Sequence, residues 1–240
     1  MKRLLLIDAV EFPPEKAAHP LSDVGNWFGR YCTTLPDVDF HSIPASHPDL
    51  ETQAAKADGV ILSGSPRDAW SDEPAILRLV GLLRVAVNSG QPVFGVCFGH
   101  QLLARAFGGK VERNPAGWEI GLSDVTLTTA GHQCGLFAGL PSPLRVIESH
   151  QDAVLTLPPD ATLLGSTAHS SIQAFALGDR TFGVQFHPEM NGDILRHLWS
   201  GRRDRVRPLV PFDLDAALDS VGETPDAARL FANFTALITP

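Results

Sequence analysis

Pro92-Val93-Phe94-Gly95-Val96-Cys97-Phe98-Gly99-His100-Gln101 sets one cysteine between two glycines at the end of an apolar run. Val93, Phe94 and Val96 predict a short buried strand, and Gln101 to Phe107 predicts the start of a helix that Gly108-Gly109 ends. Cys97 then stands where strand turns into helix. Such a turn is crowded, and glycines at 95 and 99 let neighbouring backbone pass close to it. A thiol facing the first turn of a helix meets unpaired N–H groups and the positive end of the dipole, which favour the thiolate. The same pattern by itself also describes a core cysteine, because free cysteines are among the most buried residues. A catalytic reading therefore needs a histidine and an orienting carboxylate from elsewhere.

Upstream of this turn, residues 3–7, 38–43 and 59–62 predict strands, and 22–34, 50–57 and 74–88 predict helices. Ser22 is a candidate cap for the first helix, and a loop containing Pro13-Pro14 precedes it. Pro74 opens the third helix and Asn88-Ser89-Gly90 closes it. The order β-α-β-α-β-α-β-α implies a parallel sheet with helices on both faces. The strand 59–62 runs into Ser63-Gly64-Ser65-Pro66, a loop of small residues whose glycine is able to expose its backbone N–H.

Downstream of Gly109 the texture changes to short strands at 110–113, 118–128, 144–149, 161–167, 171–177 and 181–186. Gly178-Asp179-Arg180 predicts a hairpin connection. This half reads as a partly antiparallel extension of the same sheet. Helices are expected at 192–202, 213–220 and 225–238, the last opened by Thr224-Pro225. The expected fold is α/β, doubly wound, with a mostly parallel central sheet and a smaller antiparallel β extension. The expected organisation is one domain over 1–240, with a core over about 1–190 and a helical tail over about 191–240.

The chain has 240 residues, 44% of them hydrophobic and 19% charged, the composition of an ordinary globule. A net charge of −8 argues against a nucleic-acid partner held through phosphates. The basic stretch Arg202-Arg203-Asp204-Arg205-Val206-Arg207 is short and reads as a solvated face, the other reading being a contact with an acidic partner surface. Three cysteines, Cys32, Cys97 and Cys134, argue against a disulfide framework and fit a reducing, cytoplasmic setting. Asp8 and Glu11 interrupt the N-terminal apolar run before a secretory signal is complete, and no stretch is long enough to cross a bilayer.

The partner groups that Cys97 needs are offered by Thr181-Phe182-Gly183-Val184-Gln185-Phe186-His187-Pro188-Glu189. A histidine at a strand end is able to reach the turn of the neighbouring strand. Glu189, two residues on, is placed to fix the imidazole tautomer. At this point the chain resembles the class I (triad) glutamine amidotransferase family. Gly95-Val96-Cys97-Phe98-Gly99-His100-Gln101 is similar to its nucleophile motif, Phe186-His187-Pro188-Glu189 to its His-x-Glu motif, and Ser63-Gly64-Ser65-Pro66 to its oxyanion loop. Among subfamilies it is most similar to stand-alone members resembling the glutaminase part of GMP synthase, γ-glutamyl peptidases included.

The resemblance implies a flavodoxin-like fold and a triad of Cys97, His187 and Glu189. It implies an oxyanion hole from the backbone N–H groups of Gly64 and Phe98. Gln101, Ser149 and His150 are implied to hold the α-amino and α-carboxylate groups of the substrate, with Asp152 at the end of the same segment. The implied reaction is hydrolysis of the γ-glutamyl amide of glutamine through a thioester, and the possible partner is a separate synthase that accepts the ammonia. Hydrolysis of γ-glutamyl peptides by a self-contained enzyme is the alternative. An α/β-hydrolase orders its triad nucleophile, acid, histidine, whereas here the acid follows the histidine. A non-catalytic module is disfavoured by the presence of all three triad residues. Trp118-Glu119-Ile120-Gly121 matches a segment of stand-alone members, with a strand edge as its structural reading. Cys97 with His100, and His132 with Cys134, lack a second pair at zinc-site spacing, so neither a metal nor a cofactor is expected.

Overall fold

The computed structural model describes residues 1–12 and 14–238. The first half runs β1 (Lys2–Asp8), α1 (Pro14–Ala17), α2 (Val24–Cys32), β2 (Val38–Pro44), α3 (Leu50–Lys56), β3 (Gly59–Leu62), α4 (Pro74–Asn88), β4 (Val93–Val96) and α5 (Phe98–Ala106). The second half adds β5 (Lys110–Arg113), β6 (Glu119–Leu127), α6 (Thr129–Gln133), β7 (Leu144–His150), β8 (Asp152–Thr156), β9 (Ala161–Ser166), β10 (Ala174–Leu177) and β11 (Thr181–Val184). Four helices follow: α7 (Gly192–Trp199), α8 (Arg203–Val206), α9 (Leu214–Asp219) and α10 (Pro225–Leu237).

Nine strands form one sheet in the order β2-β1-β3-β4-β11-β10-β9-β6-β7, and β5 pairs with β8 in a second sheet. The pairs from β2 to β11 are parallel. Those from β11 to β7 are antiparallel, so β11 joins the two halves beside β4. Every residue of β3, β4 and β11 is buried, as expected of strands covered on both faces. Alternation along β1 sorts the core: Leu4 and Leu6 pack with Trp27, Phe28, Phe94 and Phe231, while Leu5 and Ile7 pack with Val60, Leu83, Leu102 and Phe175. The C-terminal helix belongs to the first of these layers. Phe94 on β4 meets Phe234 at 5.4 Å and Phe231 at 6.0 Å between ring centroids. Each fully buried phenylalanine contributes about 1.5–3 kcal/mol, so α10 stabilises the strand that ends at Cys97. Among the described residues no helix is long and apolar enough to cross a membrane.

The structure corrects several local expectations. Pro14 begins α1 rather than continuing a loop, and Pro13 lies outside the described residues. Ser22 closes a 3₁₀ turn, and Asp23 is the cap of α2, accepting from the Asn26 N–H at 2.9 Å. The helix after the nucleophile begins at Phe98, one turn earlier than the apolar pattern indicated. The helix expected over 192–202 ends at Trp199, and β8 is an additional strand. The strand expected from 171 starts at Ala174, because Ser170 and Gln173 turn their side chains to the Glu119 carboxylate. Trp118-Glu119-Ile120-Gly121 is not a sheet edge: β6 lies between β9 and β7.

Candidate active site

Cys97 sits at the C-terminal end of β4 with φ +51° and ψ −101°, a left-handed conformation that a non-glycine residue holds only under strain of about 1–3 kcal/mol. The surrounding backbone leaves no alternative. A β-carbon on Gly99 would lie 2.3 Å from the Leu62 carbonyl oxygen, and one on Gly95 would lie 2.5 Å from Gly99. The Cys97 N–H donates to the Val184 carbonyl at 2.8 Å, tying the turn to β11. Because Val184 is in register with Val96, the residues just past β11 arrive beside the thiol. Gln185 Nε2 donates to the Cys97 sulfur at 3.5 Å.

His187 follows, fixed by its N–H donating to the Ile147 carbonyl at 2.9 Å. Its Nδ1 lies 2.7 Å from Glu189 Oε1, with both side chains buried, and its hydrogen bond to Cys97 falls to the other ring nitrogen. Burial works against a charged His187, but the Glu189 carboxylate and then Cys97 outweigh it and hold the imidazole well above the usual histidine range. Gly64 faces this pair: a β-carbon there would be 3.0 Å from His187 Cε1 and 3.7 Å from Cys97 Cβ. Phe98 begins α5, so its N–H has no partner within the helix. The structure thus brings Cys97, His187, Glu189, Gly64 and Phe98 to one point. A nucleophile, a base held by a carboxylate and free backbone donors are the parts that acyl transfer requires.

Gln101 lies one helical turn beyond Cys97, and its Nε2 donates to the Asp152 carbonyl at 2.8 Å and to Gln185 Oε1 at 3.1 Å. Ser149 lines the same cleft, its hydroxyl accepting from Trp199 Nε1 at 3.0 Å. His150 also lines the cleft, but both its ring nitrogens face protein acceptors. Nδ1 is 3.0 Å from the Asp152 carbonyl, and Nε2 is 3.2 Å from both Glu119 Oε2 and Glu148 Oε2. Burial opposes the charge on His150, yet the two carboxylates raise it to about 10. Burial would also raise Glu119, but His150 and Ser170 bring it down to about 2, whereas burial wins at Glu148 and pushes it up. Ser123, Thr167, Ser170 and Gln173 complete the shell around Glu119.

The ligand atoms of Glu119, Glu148 and His150 lie within 4.8 Å of one another. They are able to hold a divalent ion only if His150 gives up the proton shared with the carboxylates. His100, by contrast, points into the core against the Phe175 ring at 4.9 Å, and burial lowers it to about 3. Gln185, Glu148 and the shell around Glu119 are absent from the sequence reading. A polar Gln185 inside the apolar run Val184–Phe186 is the one signal that points to any of them.

These groups open into a cleft of about 760 Å³ that also reaches Phe12, Trp27, Leu198, Arg202 and Arg205. A model of the family described as glutamine amidotransferase class-I matches residues 29–197. Gamma-glutamyl peptidase 3 of Arabidopsis thaliana is 38% identical over 179 residues, which is 71% of this chain and 72% of that protein. The glutamine-hydrolysing subunit of the GMP synthase of Thermococcus kodakarensis is 37% identical over 170 residues, 69% of this chain and 85% of that one. A glutamine amidotransferase crystal structure from Thermotoga maritima has the same fold, with a TM-score of 0.73 at 20% identity over 98% of this chain and 96% of that one. With the family model spanning most of the sheet and the nucleophile turn, this chain belongs to the class I glutamine amidotransferase family.

Proposed function

We propose that this protein hydrolyses a γ-glutamyl amide bond, with Cys97 as nucleophile, His187 as general acid and base, and Glu189 holding the His187 tautomer. The observation that carries this reading is the meeting of a strained Cys97 with a carboxylate-paired His187 beside Gly64. The Cys97 thiolate attacks the amide carbon, and the resulting oxyanion is taken by the N–H groups of Gly64 and Phe98. Each such donor is worth about 3–4 kcal/mol in the transition state. His187 protonates the departing nitrogen as the C–N bond breaks, leaving the γ-glutamyl thioester. His187 then takes a proton from water, whose oxygen attacks the thioester and releases glutamate and the thiolate. Gln101, Ser149 and the segment around His150 shape the wall for the glutamyl head. His150 does so through the Asp152 carbonyl, since its ring nitrogens are occupied.

Glutamine, with ammonia leaving toward a separate synthase, is the simplest donor, and the GMP synthase relative supports that version. A γ-glutamyl peptide is the second reading. It is favoured by a cleft that continues well past Cys97 to Arg202 and Arg205, far beyond the room ammonia needs, and by the γ-glutamyl peptidase relative. Glutamate release by the purified protein from glutamine and from γ-glutamyl dipeptides tests both. Rapid turnover of dipeptides alone rejects the synthase-coupled version, and glutamine turnover only with a partner rejects the peptidase version. Release retained in Cys97→Ala rejects the nucleophile assignment.

A further inference from the structure

Arg202-Arg203-Asp204-Arg205-Val206-Arg207 divides into two sets of arginines. Arg203 faces Asp215 at 3.4 Å and Asp219 at 3.9 Å, and Arg207 bonds Asp204 at 2.8 Å and Asp215 at 2.7 Å. Those two close the α8–α9 corner. Arg202 and Arg205 instead line the cleft that holds Cys97, Gly64 and His187, and neither has a carboxylate partner among the described residues. Arg67 and Arg113, which line the same cleft, are each paired with a carboxylate, so in a chain of net charge −8 the two unpaired guanidiniums on one wall stand out.

Arg202 is also positioned rather than loose. Its guanidinium lies 5.4 Å above the Trp199 ring, and Trp199 is fully buried and anchored by its Nε1 donating to Ser149. Burial, with Arg205 nearby, pulls the Arg202 guanidinium below its usual value, the situation of a cation lacking its anion. The other charged groups on this wall are Lys16, which bonds Ser200 at 3.1 Å, Glu15, and Glu11, which is held by Arg67 at 2.8 Å.

The wall also lies on the correct side of the nucleophile. Trp27, Met190 and Val206 belong to the core layer under α2, α7 and α10, whereas Gln101 stands on α5, which packs on the opposite face of the sheet. Cys97 emerges at the strand ends between the two. With the glutamyl head against Gln101, the departing amine faces Arg202 and Arg205.

We infer that this flank of the cleft is a subsite for a leaving group that carries a free carboxylate, an amino acid or short peptide joined through its amine to the γ-glutamyl group, with Arg202 and Arg205 as its specificity-determining residues. The inference rests on the γ-glutamyl reading of Cys97. Trp27, Leu198 and Phe12 supply the apolar surface along the leaving group, and the two guanidiniums are placed to take its terminal carboxylate in charge-assisted hydrogen bonds.

The test compares kcat/KM for a γ-glutamyl dipeptide bearing a free C-terminal carboxylate with that for the same dipeptide as its C-terminal amide. The wild-type protein is expected to prefer the free acid by about a hundredfold, the scale on which an unmatched polar site discriminates. In Arg202→Gln and Arg205→Gln that preference should shrink by about tenfold each, and Arg202→Lys should keep part of it. Turnover of the amide in each variant separates lost recognition from lost folding. Equal cleavage of acid and amide by the wild type overturns the inference, as does a preference unchanged in both glutamine variants. Equal cleavage together with salt-sensitive binding of a separate acidic protein, abolished in the same variants, overturns it in favour of a protein contact. No glutamate release from any γ-glutamyl compound is a different result, the failure of the γ-glutamyl reading itself.

Discussion

The corner around Cys97 and the polar layer around His150 lie side by side at the same end of the sheet and are built by opposite means. The corner is steric. Gly64, Gly95 and Gly99 contribute no side chain, and the backbone closes to distances at which a methyl group has no room. The layer is electrostatic. Glu119 from β6, Glu148 and His150 from β7, and Thr167, Ser170 and Gln173 from the turn after β9 satisfy one another away from water. One region fails when an atom is added, the other when a charge is removed.

The largest effect expected on the corner is Cys97→Ala, which should lower glutamate release by roughly 10⁵-fold while leaving the unfolding midpoint close to wild type. Single-turnover kinetics and denaturant unfolding on the same sample check both halves. Next is Glu189→Gln, expected to reduce kcat by about 10³–10⁴-fold, the scale seen when a catalytic histidine loses its orienting carboxylate. The pH profile carries the sign. Glu189 and Cys97 hold folded His187 above its ordinary value, so the protonated form that serves as acid persists well above pH 6.5 and is lost only as pH rises through the raised value. Without the carboxylate, the alkaline limb of kcat/KM should move toward lower pH, and an unmoved limb would reject Glu189 as the group that holds His187.

For the polar layer, Glu119→Ala should destabilise the protein by about 3 kcal/mol, because it leaves His150 and the unpaired part of Glu148 buried. The sign again follows from the shifts. His150 is raised from 6.5 to about 10, so its stabilising pairing is complete below pH 6.5 and is lost as pH rises through about 10. Glu119 is lowered from 4.5 to about 2, so its share is complete above pH 4.5 and is lost as pH falls through about 2. The difference between wild type and Glu119→Ala should therefore be greatest between pH 4.5 and 6.5. A difference independent of pH would show the layer to be packing rather than charge.

The smallest effects sharpen the steric side through two glycines given the same change. Gly99→Ala drives a β-carbon into the Leu62 carbonyl and should lose about 2–3 kcal/mol. Gly81→Ala, on α4 with nothing within 4 Å of the new carbon, should gain up to about 1 kcal/mol from helix propensity. Thermal unfolding of the pair measures the contrast, and equal effects would reject the steric account of the turn.

How much was legible follows the same division. The turn at Cys97, the oxyanion loop and His187-Pro188-Glu189 each lie within a few consecutive residues, and the parallel order of β3, β4 and β11 brings those strand ends together. The bounds of α4, Pro74–Asn88, are readable to the residue because proline and Asn-Ser-Gly punctuate a clear helical period. Glu119 stands out in the sequence as part of a motif, but a strand position says nothing about what stands opposite. Its partners come from residues 148–173, and only the β6–β7 register, Glu119 opposite His150, brings them together. Gln185 is silent in the sequence because its side chain acquires a role only when β11 lies beside β4. Asp23 displaces Ser22 as a cap because both are good acceptors and the start of the helix decides between them.

By itself, then, the sequence determined the strand-to-helix turn, the glycines that permit it, the nucleophile with its histidine and carboxylate, and the α/β order that carries them, because these depend on local sterics and periodicity. Only the tertiary structure decided that His150 is enclosed by two carboxylates, that Gln185 touches the sulfur, and that Arg202 and Arg205 part from their neighbours to face the cleft. Charges and amides find their partners across the fold, and the distances that set their energies do not exist until the strands have taken their register.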